Sequence, residues 1–194
     1  MQVLLHRGCK IHSLNADGQN VLMAALKIDH AETRMKIIEY LISKGASSDF
    51  IQQTTGWSLL MHCCRLKRTD VAEYLLKETR GSIDVLHRDN QGRIALHHAV
   101  ISNSRHILQV LLKHHKYYHL PIDVHDCEGM SPYLYSCRLY KPHLSQLLLQ
   151  AGASAQQVDH QRKASANTWL RNGKQEKIQR QLTDLAAQVG LHTA

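Results

Sequence analysis

The sequence predicts an all-α fold: a solenoid of stacked helix-turn-helix units joined by hairpin-like turns. Three observations carry this prediction. First, the chain repeats itself at an interval that marks stacked modules. Gly18, Gly56, Gly92 and Gly129 are 38, 36 and 37 residues apart, and they open the blocks GQNVLMAAL, GWSLLMHCC, GRIALHHAV and GMSPYLYSC. Second, a further apolar pattern follows each block: Ile37, Ile38, Leu41 and Ile42; Val71, Ala72, Leu75 and Leu76; Ile107, Leu108, Leu111 and Leu112; Leu144, Leu147, Leu148 and Leu149. Spacing of i, i+1, i+4, i+5, or i, i+3, i+4, i+5 in the last set, is one face of an amphipathic helix, so each unit has two helices. Third, the stretches between units, IDVLHRDNQG from Ile83 and IDVHDCEG from Ile122, are rich in Asp, Asn and Gly and suit turns.

The elements follow in order. Residues 1–16 read as a partial repeat lacking its first helix, either an array entered in mid-unit or an unusual cap. Repeat 1 spans 17–53, carries about four extra residues around Asp29 to Glu32 between its helices, and ends its second helix at Gly45-Ala46, where a left-handed residue commonly stops a helix. Repeat 2 spans 54–88 with a lengthened exit from Lys77 to Ser82, and repeat 3 spans 89–125 with another from Lys113 to Pro121. Repeat 4 spans 126–158; Pro132 opens its first helix, where a missing N–H is tolerated, and Gly152-Ala153 closes its second. Small residues at Ala24 and Ala25, Cys63 and Cys64, Ala99, and Ser136 and Cys137 let a neighbouring helix approach. Residues 159–194 read as a degenerate capping repeat. Within it, Asp159 to Gly173 is a worn fifth unit, and Lys174 to Gln188 is a helix with Ile178, Leu182, Leu185 and Ala186 on the face that seals the stack.

These residues resemble the ankyrin repeat. The signature D-x-x-G-x-T-P-L-H-x-A is closest to Asp89 through Ala99 and Asp126 through Ser136, and the ending LL-x-x-GA is matched by Leu148, Leu149, Gly152 and Ala153 and by Leu41, Ile42, Gly45 and Ala46. The resemblance covers nearly the whole chain. The family histidine that ties neighbouring turns survives only as His97; Met23, Met61 and Leu134 take its place, so apolar contact is expected there.

Composition narrows the function. With 194 residues and 43% hydrophobic content the chain can bury a core. It has no apolar run of about 20 residues and no secretory leader, so it is expected to be soluble, without membrane insertion, and cytoplasmic, nuclear or both. Five cysteines, odd in number and irregular in spacing, point to reduced thiols. The formal charge of +8 favours encounters with acidic partners.

No enzyme chemistry is predicted: GxSxG, GxxxxGK[ST] and HExxH are all absent, so no catalytic residue is assigned. No metal ligand, cofactor site or cofactor is predicted either. His62, Cys63 and Cys64 are consecutive and point about 100° apart on a helix, so they cannot converge on one ion. Cys63, Cys64, Cys137 and Cys9 instead fall on small packing positions. By alignment His97 is interior and His98 exposed, while His114, His115 and His119 fall in a polar exit loop, either solvated or, as the alternative, a contact surface.

What the resemblance implies is a protein-binding scaffold whose first helices and turns line a concave groove. Carried over by position, the residues after the signature glycines are Gln19, Trp57, Arg93 and Met130; just past the small residues come Lys27, Arg65, Ile101 and Arg138; and Gln91 stands with Asp17, Thr55 and Glu128 at the turn tips. A Trp among Arg side chains is the composition of an interface hot spot, and the basic row favours an acidic or carboxylate-rich segment of another protein. The chain would act as a monomer or within a hetero-complex. Two alternatives stand beside this reading. One is an inhibitor that masks a charged signal on a transcription factor or enzyme. The other is nucleic-acid binding through Arg162, Lys163, Arg171, Lys174, Lys177 and Arg180, disfavoured because only Trp169 is near for stacking.

Overall fold

The computed structural model describes residues 11–78, 83–156 and 165–188, which form nine helices and one two-stranded antiparallel pair. The expectations placed on Cys9 and the start of the partial repeat, on residues 79–82 of the repeat 2 exit, and on 157–164 with Arg162 and Lys163 lie outside the described residues, as do the side chains of Ile178, Leu182, Leu185 and Ala186. The chain divides into two compact units, residues 1–120 and 121–194. No described helix is long and apolar enough to cross a membrane.

In the first unit, short helices α1 (Val21–Ala25), α3 (Leu59–Leu66) and α5 (Ala95–Ile101) alternate with longer α2 (Ala31–Ser43), α4 (Thr69–Glu78) and α6 (Arg105–Tyr117). The short helices pack in one row, α1 on α3 and α3 on α5, and the long ones in a second, α2 on α4 and α4 on α6. Helices of this length are marginal alone in water. Burial between the rows holds them: Leu22, Leu26, Ile38, Leu60, Leu75, Leu96, Ile107 and Leu108 are all buried, each stabilising by about 1.5–3 kcal/mol. Ala25, Cys63, Cys64 and Ala99 are buried as expected of small packing residues, whereas Ala24 is exposed. Met23 and Met61 are buried where the family pattern has histidine.

Polar side chains close the helix ends. Asn20 Oδ1 accepts from the Met23 N–H at 3.0 Å, and Ser58 Oγ from Met61 at 3.3 Å. Ile94 has no such oxygen, and His97 Nδ1 accepts the Ile94 N–H at 3.1 Å instead. Gly45 (φ 90°) ends α2 as predicted. Lys67 (φ 56°) and Asn103 (φ 55°) adopt the same left-handed conformation after α3 and α5. There the N–H groups of Arg68 and Ser104 reach back to the carbonyls of Cys63 and Ala99, at 2.9 and 3.0 Å.

The extra residues of repeat 1 are pinned by two arginines. Buried Arg34 donates to the carbonyls of Ile28 (2.6 Å) and Asp29 (3.0 Å) and pairs with Asp70 at 2.7 Å. Arg68 donates to the Leu26 carbonyl and to Asp29 Oδ1, both at 2.9 Å. The insertion is thereby tied to the following repeat.

Two sequence expectations about histidine are corrected. His98 is buried, not exposed: its Nε2 bonds Asp89 Oδ2 at 2.9 Å, and Trp57 of the preceding repeat lies on it. His114 and His115 belong to α6 rather than to a loop, because the helix continues through most of the expected exit. His115 continues the buried stripe of Leu108, Leu111 and Leu112, and His119 alone lies beyond the helix.

The second unit holds α7 (Pro132–Arg138), α8 (Pro142–Gln150) and α9 (Ala166–Gln188), with α7 packed on both others. Leu134, Ser136, Cys137, Leu144 and Leu148 are buried, while Leu149 is exposed. Gly152 (φ 102°) ends α8 as predicted. The final helix starts at Ala166, eight residues before the expected Lys174, and runs through Gly173. Gly173 is there for contact rather than for termination. A Cβ at this position would stand 2.4 Å from the Arg138 carbonyl oxygen, so only glycine lets α9 lie against the end of α7. Ala166 and Trp169 are buried along this helix.

Candidate functional site

The site is assembled from the turns and first helices of the first unit. Ile51–Gln52 and Trp57–Ser58 form an antiparallel pair, with Gln52 opposite Trp57. The turn between them needs Gly56 at φ 72°. Asn90 of the next repeat sits against it: Asn90 N–H donates to the Thr55 carbonyl at 3.2 Å, and its side chain to that of Thr54 at 3.2 Å. A Cβ on Gly56 would come within 2.5 Å of Asn90 Oδ1. Successive turns are thus locked together, which fixes where Trp57 leaves the backbone.

A polar tie from turn to helix recurs at a regular interval. Gln52, Asp89 and Asp126 are spaced by 37 residues, and each bonds the short helix that follows it: Gln52 Oε1 with His62 Nε2 at 3.0 Å, Asp89 Oδ2 with His98 Nε2 at 2.9 Å, and Asp126 Oδ2 with the Tyr135 hydroxyl, which donates, at 2.7 Å. Asp89 Oδ1 also accepts the N–H groups of Gln91 and Arg93, and Asp126 Oδ1 those of Glu128 and Met130. Gln52, Asp89, His62 and His98 did not emerge as site residues from the sequence. The signal that could have found them is the 37-residue spacing of Gln52, Asp89 and Asp126.

These ties place two imidazoles on Trp57. The indole meets His62 edge-on at 5.3 Å between centroids (67°) and His98 at 4.9 Å (71°). The Arg65 guanidinium lies 5.1 Å from the indole centroid. His62 and Arg65 share a face of α3 because they are three residues apart. The cleft beside them, about 530 Å³, is lined by Gln19, Met23, Lys27, Gln52, Trp57 and Arg65, among others. A second cleft of about 940 Å³ lies between α4 and α6, with exposed Tyr117 and Tyr118 at its edge.

Electrostatics follow from burial. His62 is held down at about 4 by burial first, and then by the positive charge of His98, Arg65 and Lys27. Burial likewise lowers His98, opposed by its bond to Asp89. For Asp89, burial alone would raise the carboxyl; the N–H groups of Arg93 and Gln91 and the bond to His98 outweigh it and hold the group below its ordinary value. Both imidazoles are therefore neutral at pH 7. Burial pushes the Cys63 and Cys64 thiols upward, so they stay protonated and act as packing groups. Among the described residues, no group of three or more His, Cys, Asp or Glu could hold a metal ion.

The predicted groove residues divide by environment. Trp57 is half-buried and Arg65, Lys27, Gln91 and Ile101 are exposed; Gln19 is half-buried and bonded to Asn15. Arg93 is half-buried and turned onto Asp89 at 3.2 Å. In the second unit, Arg138 pairs with Glu128 at 3.6 Å and lies 5.3 Å from the Trp169 ring centroid. Met130 is corrected: it is 2% exposed and cannot contact a partner. Its apolar side chain gains by burial.

Comparison with known proteins agrees with this architecture. A family model described as ankyrin repeats (3 copies) matches residues 1–89 and 36–120. The chain is 28% identical over 131 residues to neurogenic locus notch homolog protein 1 of Xenopus tropicalis and 29% identical over 131 residues to that of Mus musculus, in each case 68% of this chain and 5% of the relative. It is 27% identical over 137 residues to neurogenic locus notch homolog protein 2 of Homo sapiens, 71% of this chain and 5% of the relative. The chain thus spans about 5% of the length of these relatives.

Proposed function

We propose, for a chain that belongs to the ankyrin repeat family, that it binds an acidic segment of another protein on the face formed by its first helices and turns. Ankyrin repeats are in general non-catalytic protein–protein interaction modules. The observation that carries the finer reading is the cleft of about 530 Å³ in which Lys27 and Arg65 stand beside a half-buried Trp57. Aromatic and arginine side chains around a partly desolvated pocket are the usual anchors of an interface. The turns and buried ties already hold this surface, so little ordering entropy is lost on binding. Residence in the cytoplasm or nucleus belongs to the same proposal, because buried thiols suit a reducing compartment.

The test is comparative capture from native cells, using the wild-type chain and a Trp57→Ala, Arg65→Glu variant of matched thermal stability. Loss of the same partner with the variant supports the reading. Undiminished capture by the variant, or loss of it only when Lys174, Lys177 and Arg180 are neutralised, would move the interface elsewhere.

A further inference from the structure

We infer that Arg65 and Trp57 form a clamp for a single side-chain carboxylate, an aspartate or glutamate of the partner segment, with the indole N–H and the guanidinium edge as its donors. This rests on the reading above that the front of the first unit binds a protein segment, and it names the chemistry received at one point of that surface.

Ion pairing selects Arg65. Arg93 is already matched to Asp89 at 3.2 Å and Arg138 to Glu128 at 3.6 Å. Away from this row, Arg34 is matched to Asp70 at 2.7 Å and Arg68 to Asp29 at 2.9 Å. Arg65 has no carboxylate within 4.0 Å among the described residues, yet it is held in place by the ring beneath it. The guanidinium lies over the indole and donates to no oxygen among the described residues. Carboxylates bind along the N–H edge of a guanidinium, so that edge is left for a partner.

Trp57 is oriented in turn. His62 and His98 meet its ring edge-on from α3 and α5, and each imidazole is fixed by a turn residue, Gln52 or Asp89. The indole N–H donates to nothing among the described residues. It meets no competing acceptor among the described residues, while a carboxylate offers two oxygens, one for each donor. Lys27 lines the same cleft, exposed and only loosely paired with Asp17 at 3.7 Å, and adds positive potential. Half-buried Leu66 supplies apolar lining for an apolar residue flanking the carboxylate. Here His62 and His98 are positioning residues.

The experiment uses the whole chain, whose two tryptophans give two indole N–H signals in a nitrogen–proton correlation spectrum; a Trp57→Phe variant assigns them. The probe is a short peptide of alternating glutamate and leucine, compared at fixed ionic strength with its glutamine analogue and with inorganic phosphate. The expected result is a saturable shift of the Trp57 indole signal with the glutamate peptide alone. Arg65→Lys, which keeps the charge but loses the planar fork, is expected to weaken binding about tenfold. Equal shifts with the glutamine peptide or with phosphate, or unchanged affinity in Arg65→Lys, would overturn the clamp. If the peptide instead moves the amide signals of Gln91, Arg93 and Ile101 but not the indole, the clamp fails while the front-face reading stands. Undiminished native capture by the Trp57→Ala, Arg65→Glu variant removes both.

Discussion

His62 shows how a residue can be legible in sequence and its role not. Its place on the first helix of repeat 2 follows from the periodicity, but its state depends on Gln52, on Arg65 and on a tryptophan packed against it. Burial holds the folded imidazole at about 4 against an ordinary 6.5, so between these values the unfolded chain binds a proton that the folded chain refuses. Stability from this group is therefore complete above about pH 6.5 and is lost as pH falls toward 4. The loss reaches about 3 kcal/mol, because every tenfold difference in proton affinity between the folded and unfolded chain is worth about 1.4 kcal/mol. His98, also lowered by burial, acts in the same direction. Urea midpoints at pH 7 and pH 4.5 should show this decline, and His62→Gln should flatten it; an unchanged slope in that variant would place the acid sensitivity elsewhere. The exposure of Arg65 and Lys27 was legible from their place in the repeat. The burial of Met130, which holds the same position as Trp57, and of His98 was not; His98 is covered by Trp57 of the preceding repeat.

At the scale of the element, helix existence was easy to read and helix ends were uneven. Gly45 and Gly152 marked true ends because a left-handed residue was needed there. Gly173 suggested an end and instead lies inside α9, where the demand is for space beside the Arg138 carbonyl. These two uses of backbone predict opposite responses. Gly173→Ala, favourable by about 1 kcal/mol in an isolated helix, should here destabilise by about 1–3 kcal/mol through overpacking, read as a lower urea midpoint. Lys67→Gly, at an exposed residue that already holds φ 56°, should raise stability by about 0.5–1 kcal/mol. Equal signs for the two variants would contradict this account. The last turn of α6 escaped the sequence reading for a related reason: HKYYH looks polar enough for a loop, yet His115 continues the buried stripe of Leu108 and Leu111.

For the whole molecule, the fold class was legible because four copies of one pattern in phase leave few alternatives, and its division into units of 1–120 and 121–194 was not, because the spacing of the glycines carries no break there. Net charge acts at this scale too. With +8 spread over the chain, association with an acidic segment should be steered over a Debye length of about 30 Å at 0.01 M salt and only about 8 Å at 0.15 M. Stopped-flow association rates with the glutamate peptide should fall about tenfold or more between these salts while the dissociation rate changes little; salt-independent association would argue that charge plays no part in the encounter. The edge-on packing of Trp57 with His62 of its own repeat and His98 of the next has a consequence for how such a chain can evolve. Gain or loss of a module elsewhere lengthens or shortens the array harmlessly, but an insertion between residues 58 and 89 would part the tryptophan from one of its two supports. Where Trp57 anchors a partner as proposed, selection for binding fixes copy number at that junction and leaves it free to vary outside.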